Sequence, residues 1–163
     1  MKSNNVAQSG ILIALTIAVL YSTSLLPIST LSILTIASCL IPISIIRTSL
    51  KNTILVYISC SILSFFLVPI NIALLYTLFF GVYGIIKFFI EKLDNLIYEI
   101  IVKLLVFNVL LFSIYILFKL FIGLNIGISL WIVALIAQAA FLLYDYALTI
   151  IISYFLNKIN KHI

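Results

Sequence analysis

Six apolar runs, each close to the length that crosses a bilayer, take up nearly the whole of this chain. A helix rises ~1.5 Å per residue and the hydrocarbon core is ~30 Å thick, so one crossing needs ~20 mostly apolar residues. The runs fall at about 9–26, 29–46, 52–69, 71–91, 97–122 and 128–156. Chemistry sets the interruptions: Pro27 with Ser29, Arg47 to Asn52, Pro69 with Asn71, Glu91 to Asn95, and Gly123 to Gly127. Pro42 lies inside the second run and reads as a kink or end-turn, because Arg47 marks a better exit. A membrane barrel requires strands that alternate polar and apolar residues, whereas these runs are apolar on nearly every position, so the segments are helices. The expected fold is an all-α integral membrane protein, a compact bundle of about six transmembrane helices forming one domain over residues 1–163.

Composition removes the other broad classes. With 66% hydrophobic residues, 8% charged residues and a mean hydropathy of +1.41, the chain is far from the balance of a water-soluble domain. No run resembles a short cleavable leader followed by a soluble domain, so the first segment is expected to stay as a helix. Cys39 and Cys60 sit inside apolar runs as small hydrophobes. The single histidine, His162, lies at the tail and no acidic or Cys/His cluster accompanies it, so neither a metal nor another cofactor is expected.

The cations imply an orientation, because cytoplasmic loops are enriched in Lys and Arg. With the N-terminus inside, Lys2, Arg47, Lys51, Lys87, Lys92, Lys103, Lys158 and Lys161 fall at or near cytoplasmic ends and only Lys119 falls outside. Both termini are therefore expected in the cytoplasm. Anionic headgroups account for the net charge of +5 without any nucleic-acid partner. The high use of Ile, Asn and Lys is compatible with an AT-rich bacterial genome, which makes a bacterial plasma membrane the expected location.

One carboxylate stands deep in the last run. Asp145 is about eleven residues, ~16 Å, from the cytoplasmic end of that helix, where a charged group costs ~2.5–3.5 kcal/mol. It should be protonated, paired, or turned to a protein-lined interior. Asn108 reaches about the same depth on the fifth run, from which it could donate to Asp145 on a neighbouring helix. Gln138, seven residues before Asp145, shares its helical face, and Ala134 and Thr149 continue it. Trp131, Tyr144 and Tyr146 stand around this stripe. Three uses are open: Asn108, Trp131, Gln138 and Asp145 line a pocket for a small, partly polar ligand; the polar groups hold helices together; or Lys103 reaches up to pair with Asp145. Glu91, Asp94 and Glu99 interleave with Lys87, Lys92 and Lys103 at the cytoplasmic edge, where Glu99 and Lys103 have the i, i+4 spacing of a helix-surface ion pair.

The first run carries a different signal. Gly10, Ala14, Ala18 and Ser22 recur every fourth residue and leave one face nearly bare, which lets another helix approach closely and marks a candidate docking face for a separate subunit. Weaker rows at Ala73, Thr77 and Gly81, and around Ala137 and Ala140, read as internal packing.

In size, in six spans with cytoplasmic termini, and in Ala14-Leu-Thr-Ile-Ala18, which matches an AxxxA motif on the first helix, the chain resembles the substrate-binding S component of an energy-coupling factor transporter. The resemblance implies that Ala14 and Ala18 dock the chain onto a membrane coupling subunit driven by two cytoplasmic ATPases. It further implies uptake of a small micronutrient such as a vitamin, with toppling of the bundle in the membrane. The external connections are shorter than those that cap the substrate in that family, and no subfamily signature names a ligand. The chain has no G-x-x-x-x-G-K-[ST] loop, so energy from ATP must come from partners.

The rival reading is a non-transporting scaffold of an envelope or cell-shape assembly, comparable with the cell-shape protein MreD. An enzyme is not expected, because Asp145 is the one carboxylate well inside the bilayer and no histidine reaches it. A lone Asp without a charged ring is equally poor material for an ion-selective pore.

Overall fold

The computed structural model describes the backbone of residues 3–25, 29–93, 95–122 and 130–160, and the side chains of these except 3, 118, 121, 122, 130–132 and 155–160. The described residues are helical apart from short connections. In chain order the helices are α1 (Ser3–Leu25), α2 (Thr30–Arg47), α3 (Leu50–Leu67), α4 (Ile70–Leu75), α5 (Gly81–Ile90), α6 (Leu96–Ile122) and α7 (Leu130–Asn160), with one π-helical turn, Tyr76–Phe80, joining α4 to α5. Counting Ile70–Ile90 as one continuous span, six helices among these residues are long and apolar enough to cross a membrane. The chain is therefore an all-helical, multi-pass membrane protein. Pro27, the connection 123–129, Asp94, and Lys2 and Lys161 at the two ends lie outside the described residues.

The chain divides into two compact units, residues 1–88 and 89–163. In the first unit, α1, α2, α3 and the fourth span pack together. The connections are tight because local side chains close them. Arg47 ends α2, and Ser49 caps α3 by accepting a hydrogen bond from the Asn52 amide at 3.4 Å. The Thr53 hydroxyl oxygen then lies 3.0 Å from Ser44 Oγ, tying the start of α3 to the end of α2. Pro69 stops α3 two residues later than its last helical residue and opens α4 from the N-cap position, where its missing N–H costs nothing. Pro42 sits inside α2, which runs on to Arg47.

The core of this unit is built from Leu12, Leu20, Leu34, Ile41, Val56 and Tyr83, with small and hydroxylated residues between them. Gly84 faces α2 so closely that an added Cβ would stand 3.1 Å from Ile41 Cβ and from Pro42 Cδ. The row Ala73, Thr77, Gly81 is internal as its spacing suggests, with Ala73 and Gly81 buried and Thr77 half-buried. In the second unit, Phe107 of α6 stacks on Phe141 of α7, ring centroids 4.3 Å apart. Here Ala137 is half-buried and Ala140 exposed, so the weaker row on the last helix is not wholly internal. Large apolar side chains such as Leu105, Leu135 and Leu143 point outward, as a lipid solvent allows and water does not. Two cations read as headgroup anchors, Lys87 and Lys103, are buried in the protein.

Gly81 supplies a sharp test of this packing. A Cβ there would lie 2.7 and 2.8 Å from two ring carbons of Tyr57 and 3.2 Å from the Tyr76 carbonyl oxygen. The ring cannot swing away freely, because its hydroxyl donates to the Thr77 carbonyl at 2.7 Å. Gly81→Ala is expected to destabilise the protein by about 1–3 kcal/mol, the usual cost of overpacking. Equilibrium unfolding in detergent measures it, and Gly10→Ala, where no atom stands within 4 Å of an added Cβ, is the control that does not destabilise and gains about 0.4–1 kcal/mol from helix propensity.

Candidate functional site

Helices α6 and α7 run past each other in opposite directions, and their facing residues form a ladder. Lys103 Nζ lies 2.9 Å from Asp145 Oδ2 and donates to it. One turn along α6 from Lys103, and one turn back along α7 from Asp145, Phe107 meets Phe141. A further step in the same directions brings Gln138 Nε2 to Asn108 Oδ1, at 3.3 Å. The first two pairs follow from periodicity: residues four apart stand on one helical face, so the ion pair places the ring stack, whereas Asn108, one residue past Phe107, reaches Gln138 from the side.

The charged end of the ladder is strongly held. Lys103 also meets Glu99 Oε1 at 2.6 Å, one turn earlier on its own helix, so its ammonium stands between two carboxylates. All three side chains are largely buried. In low dielectric such contacts gain Coulomb energy but must offset a large desolvation cost, which is why an ammonium with two acceptors is preferred to a lone ion. The amide end is looser. Asn108 donates to the Leu104 carbonyl of its own helix at 2.8 Å and is exposed, and the Gln138 contact is long for a hydrogen bond.

Asp145 is paired with Lys103, and Asn108 meets Gln138. Thr149 returns its hydroxyl to the Asp145 carbonyl at 3.0 Å, a bond within α7. Ala134 and Tyr144 are half-buried, whereas Tyr146 is exposed and walls nothing in this seam. Trp131 belongs to α7 by its backbone, and its side chain lies outside the described residues. The Phe107–Phe141 stack was missed in the sequence. Its signal was the i, i+4 relation of each ring to the ion pair, legible only once Lys103 is set against Asp145.

On α1 the small residues occupy the side that its neighbours leave open. Leu12, Thr16, Leu20 and Thr23 are buried where α1 packs on α2 and α3. At ~100° per residue, Gly10, Ala14 and Ala18 lie on the opposite side of the helix. All three are exposed, and Ser22 is half-buried with its hydroxyl bonded to the Ala18 carbonyl at 2.9 Å. The row is therefore not what brings α1 against α2 and α3.

No protein-family model, no curated protein and no solved structure matches this chain.

The ladder makes an asymmetric prediction. Lys103→Met takes the ammonium from two carboxylates at once and is expected to cost about 3–5 kcal/mol, as breaking a buried pair from one side does. Asp145→Asn leaves Lys103 paired with Glu99 and is expected to cost less than half as much. Unfolding midpoints of the two variants in one detergent check the order, and equal losses would contradict it.

Proposed function

We propose that this chain is the membrane-embedded substrate-binding subunit of a micronutrient uptake system, energised by a separate membrane coupling subunit and its cytoplasmic ATPases. The observation that carries the reading is the open small-residue face of α1. Gly10, Ala14 and Ala18 lie opposite the packed side, and no atom stands within 4 Å of a Cβ built on Gly10. Such a face admits a second helix at close backbone distance, where van der Waals contact drives association in lipid. This is the place at which the AxxxA motif of energy-coupling factor S components docks, and Ala14 and Ala18 take that role here. Both termini lie in the cytoplasm of a bacterial cell in this reading, with the coupling ATPases on the same side.

The ligand-binding residues in this reading are Asn108, Trp131, Gln138 and Asp145. The long Gln138–Asn108 contact supports a role for the amide end, because a polar ligand can replace that bond at little cost. At the charged end Lys103 holds Asp145 in place through Oδ2.

A specific observation favours a second reading, a non-transporting envelope scaffold. Lys103, Asp145, Asn108 and Gln138 are bonded to one another across α6 and α7, the pattern expected of groups that hold helices together.

Affinity purification in mild detergent from the native host separates the two. The transport reading expects a membrane coupling subunit and ATPases to co-purify, and a small molecule to be released on denaturation. Ala14→Trp should remove the partners by at least tenfold, about 1.4 kcal/mol of docking energy, without changing helical content. Gln138→Leu should release the small molecule and keep the partners. Envelope-assembly proteins recovered with no bound molecule would replace transport by the scaffold.

A further inference from the structure

The turn at Tyr76–Phe80 is the one place among the described helices where the hydrogen-bond ladder widens to π spacing, and it falls inside a membrane span, Ile70–Ile90. In an α-helix the Gly81 amide would reach the carbonyl four residues back, that of Thr77. Here it donates to the Tyr76 carbonyl, five back, and the Thr77 carbonyl accepts from Tyr57 Oη of α3 at 2.7 Å. A hydroxyl from another helix stands where a backbone amide of the same helix would be. Hydrocarbon supplies no donor, so without that hydroxyl the carbonyl loses a partner that lipid cannot replace.

Tyr57 meets the turn a second time through its ring. An added Cβ on Gly81 would lie 2.7 Å from a ring carbon, so the ring is seated against the backbone of the first residue of α5. The side chain of Thr77 does little to close the turn. Its Oγ1 is buried with no hydrogen-bonding partner, whereas Thr16 and Ser113 return their hydroxyls to the carbonyls of Leu12 and Val109, four residues back on their own helices. The ring contacts Phe79–Phe80, centroids 5.1 Å apart, and Phe79–Tyr83, 5.9 Å apart, run along the span. A π turn carries one residue more than the α-helix it interrupts, and helices bend at such interruptions.

We infer that the fourth span is hinged at Tyr76–Phe80 and that the Tyr57 hydroxyl is the latch that keeps the hinge shut. With the latch closed, the Thr77 carbonyl is satisfied and Gly81 is held beneath the ring. With it open, the Thr77 carbonyl draws the Gly81 amide back toward α spacing, and that exchange of one bond moves α5 relative to α4. The hinge and its latch both lie within residues 1–88, the first unit, and do not depend on the transport reading.

Hydrogen exchange on the full chain in mild detergent, followed by mass spectrometry of proteolytic fragments, tests this through Tyr57→Phe, which keeps the ring and removes the hydroxyl. Exchange in the fragment holding residues 76–82 is expected to rise about tenfold, the weight of one hydrogen bond, while fragments of α1 and α2 keep their protection. Unchanged exchange at 76–82 would mean that the hydroxyl holds nothing shut, and an equal rise in α1 and α2 would mean general loosening; either result overturns the inference. Deleting Thr77 supplies a second measurement that stands even if Tyr57→Phe alone fails to fold. The shortened span has no surplus residue, so it is expected to fold as an unbroken α-helix, and Tyr57→Phe added to it should leave exchange at the former turn unchanged. A deletion that does not fold, or one in which Tyr57→Phe still opens the segment, refutes the hinge.

Discussion

Hydrocarbon offers the backbone no hydrogen-bonding partner, and every other feature of this protein is arranged under that constraint. A peptide group that loses its helical partner must find another inside the protein, so the six apolar segments are helical along their length and the breaks between them are short. The same rule governs the side chains. Hydroxyls fold back onto carbonyls of their own helix, and the Lys103 ammonium lies between two carboxylates. Where the ladder does widen, at Tyr76–Phe80, the Tyr57 hydroxyl takes the Thr77 carbonyl that the turn exposes.

The two units meet this constraint with different materials. The first relies on close approach: Gly81 beneath the Tyr57 ring, Gly84 against Ile41 and Pro42, and Thr53 against Ser44 bring backbones near one another without long side chains. The second joins its two long helices by a ladder of an ion pair, a ring stack and an amide pair. Dispersion between matched surfaces does the holding in the first unit, and electrostatics in low dielectric adds to it in the second. Close packing also explains why the small row of α1 stands out. Ala37, Ala73, Gly81 and Ser64 are buried in internal contacts, whereas Gly10, Ala14 and Ala18 face outward.

Much of the fold was legible because its causes are local. Arg47 favours the membrane edge over hydrocarbon and Pro69 has no N–H to continue α3, and the observed spans begin and end within a few residues of the positions that such residues suggest, except that α1 reaches back to Ser3. The site was legible only in part. Asp145 announced a partner, since no carboxylate stays alone at that depth, but Lys103, a ligand and Asn108 all remained open. The π turn left no mark in YTLFF, because its widening answers to Tyr57 and Gly81 as they meet across helices and not to the residues of the turn alone.

By itself the sequence determined the solvent and the secondary structure: runs of apolar residues about one bilayer long admit a membrane and helices, since backbone hydrogen bonding in lipid excludes open alternatives. It also determined that Asp145 needs company, through the cost of a lone charge in hydrocarbon. Only the tertiary structure decided which residue supplies it, which side of α1 stays uncovered, and where the helical ladder widens. These are choices among several helix rotations with nearly the same local energy. They are made by contacts between residues far apart in the chain, such as Lys103 with Asp145 and Tyr57 with Thr77, whose distances no spacing along the chain records.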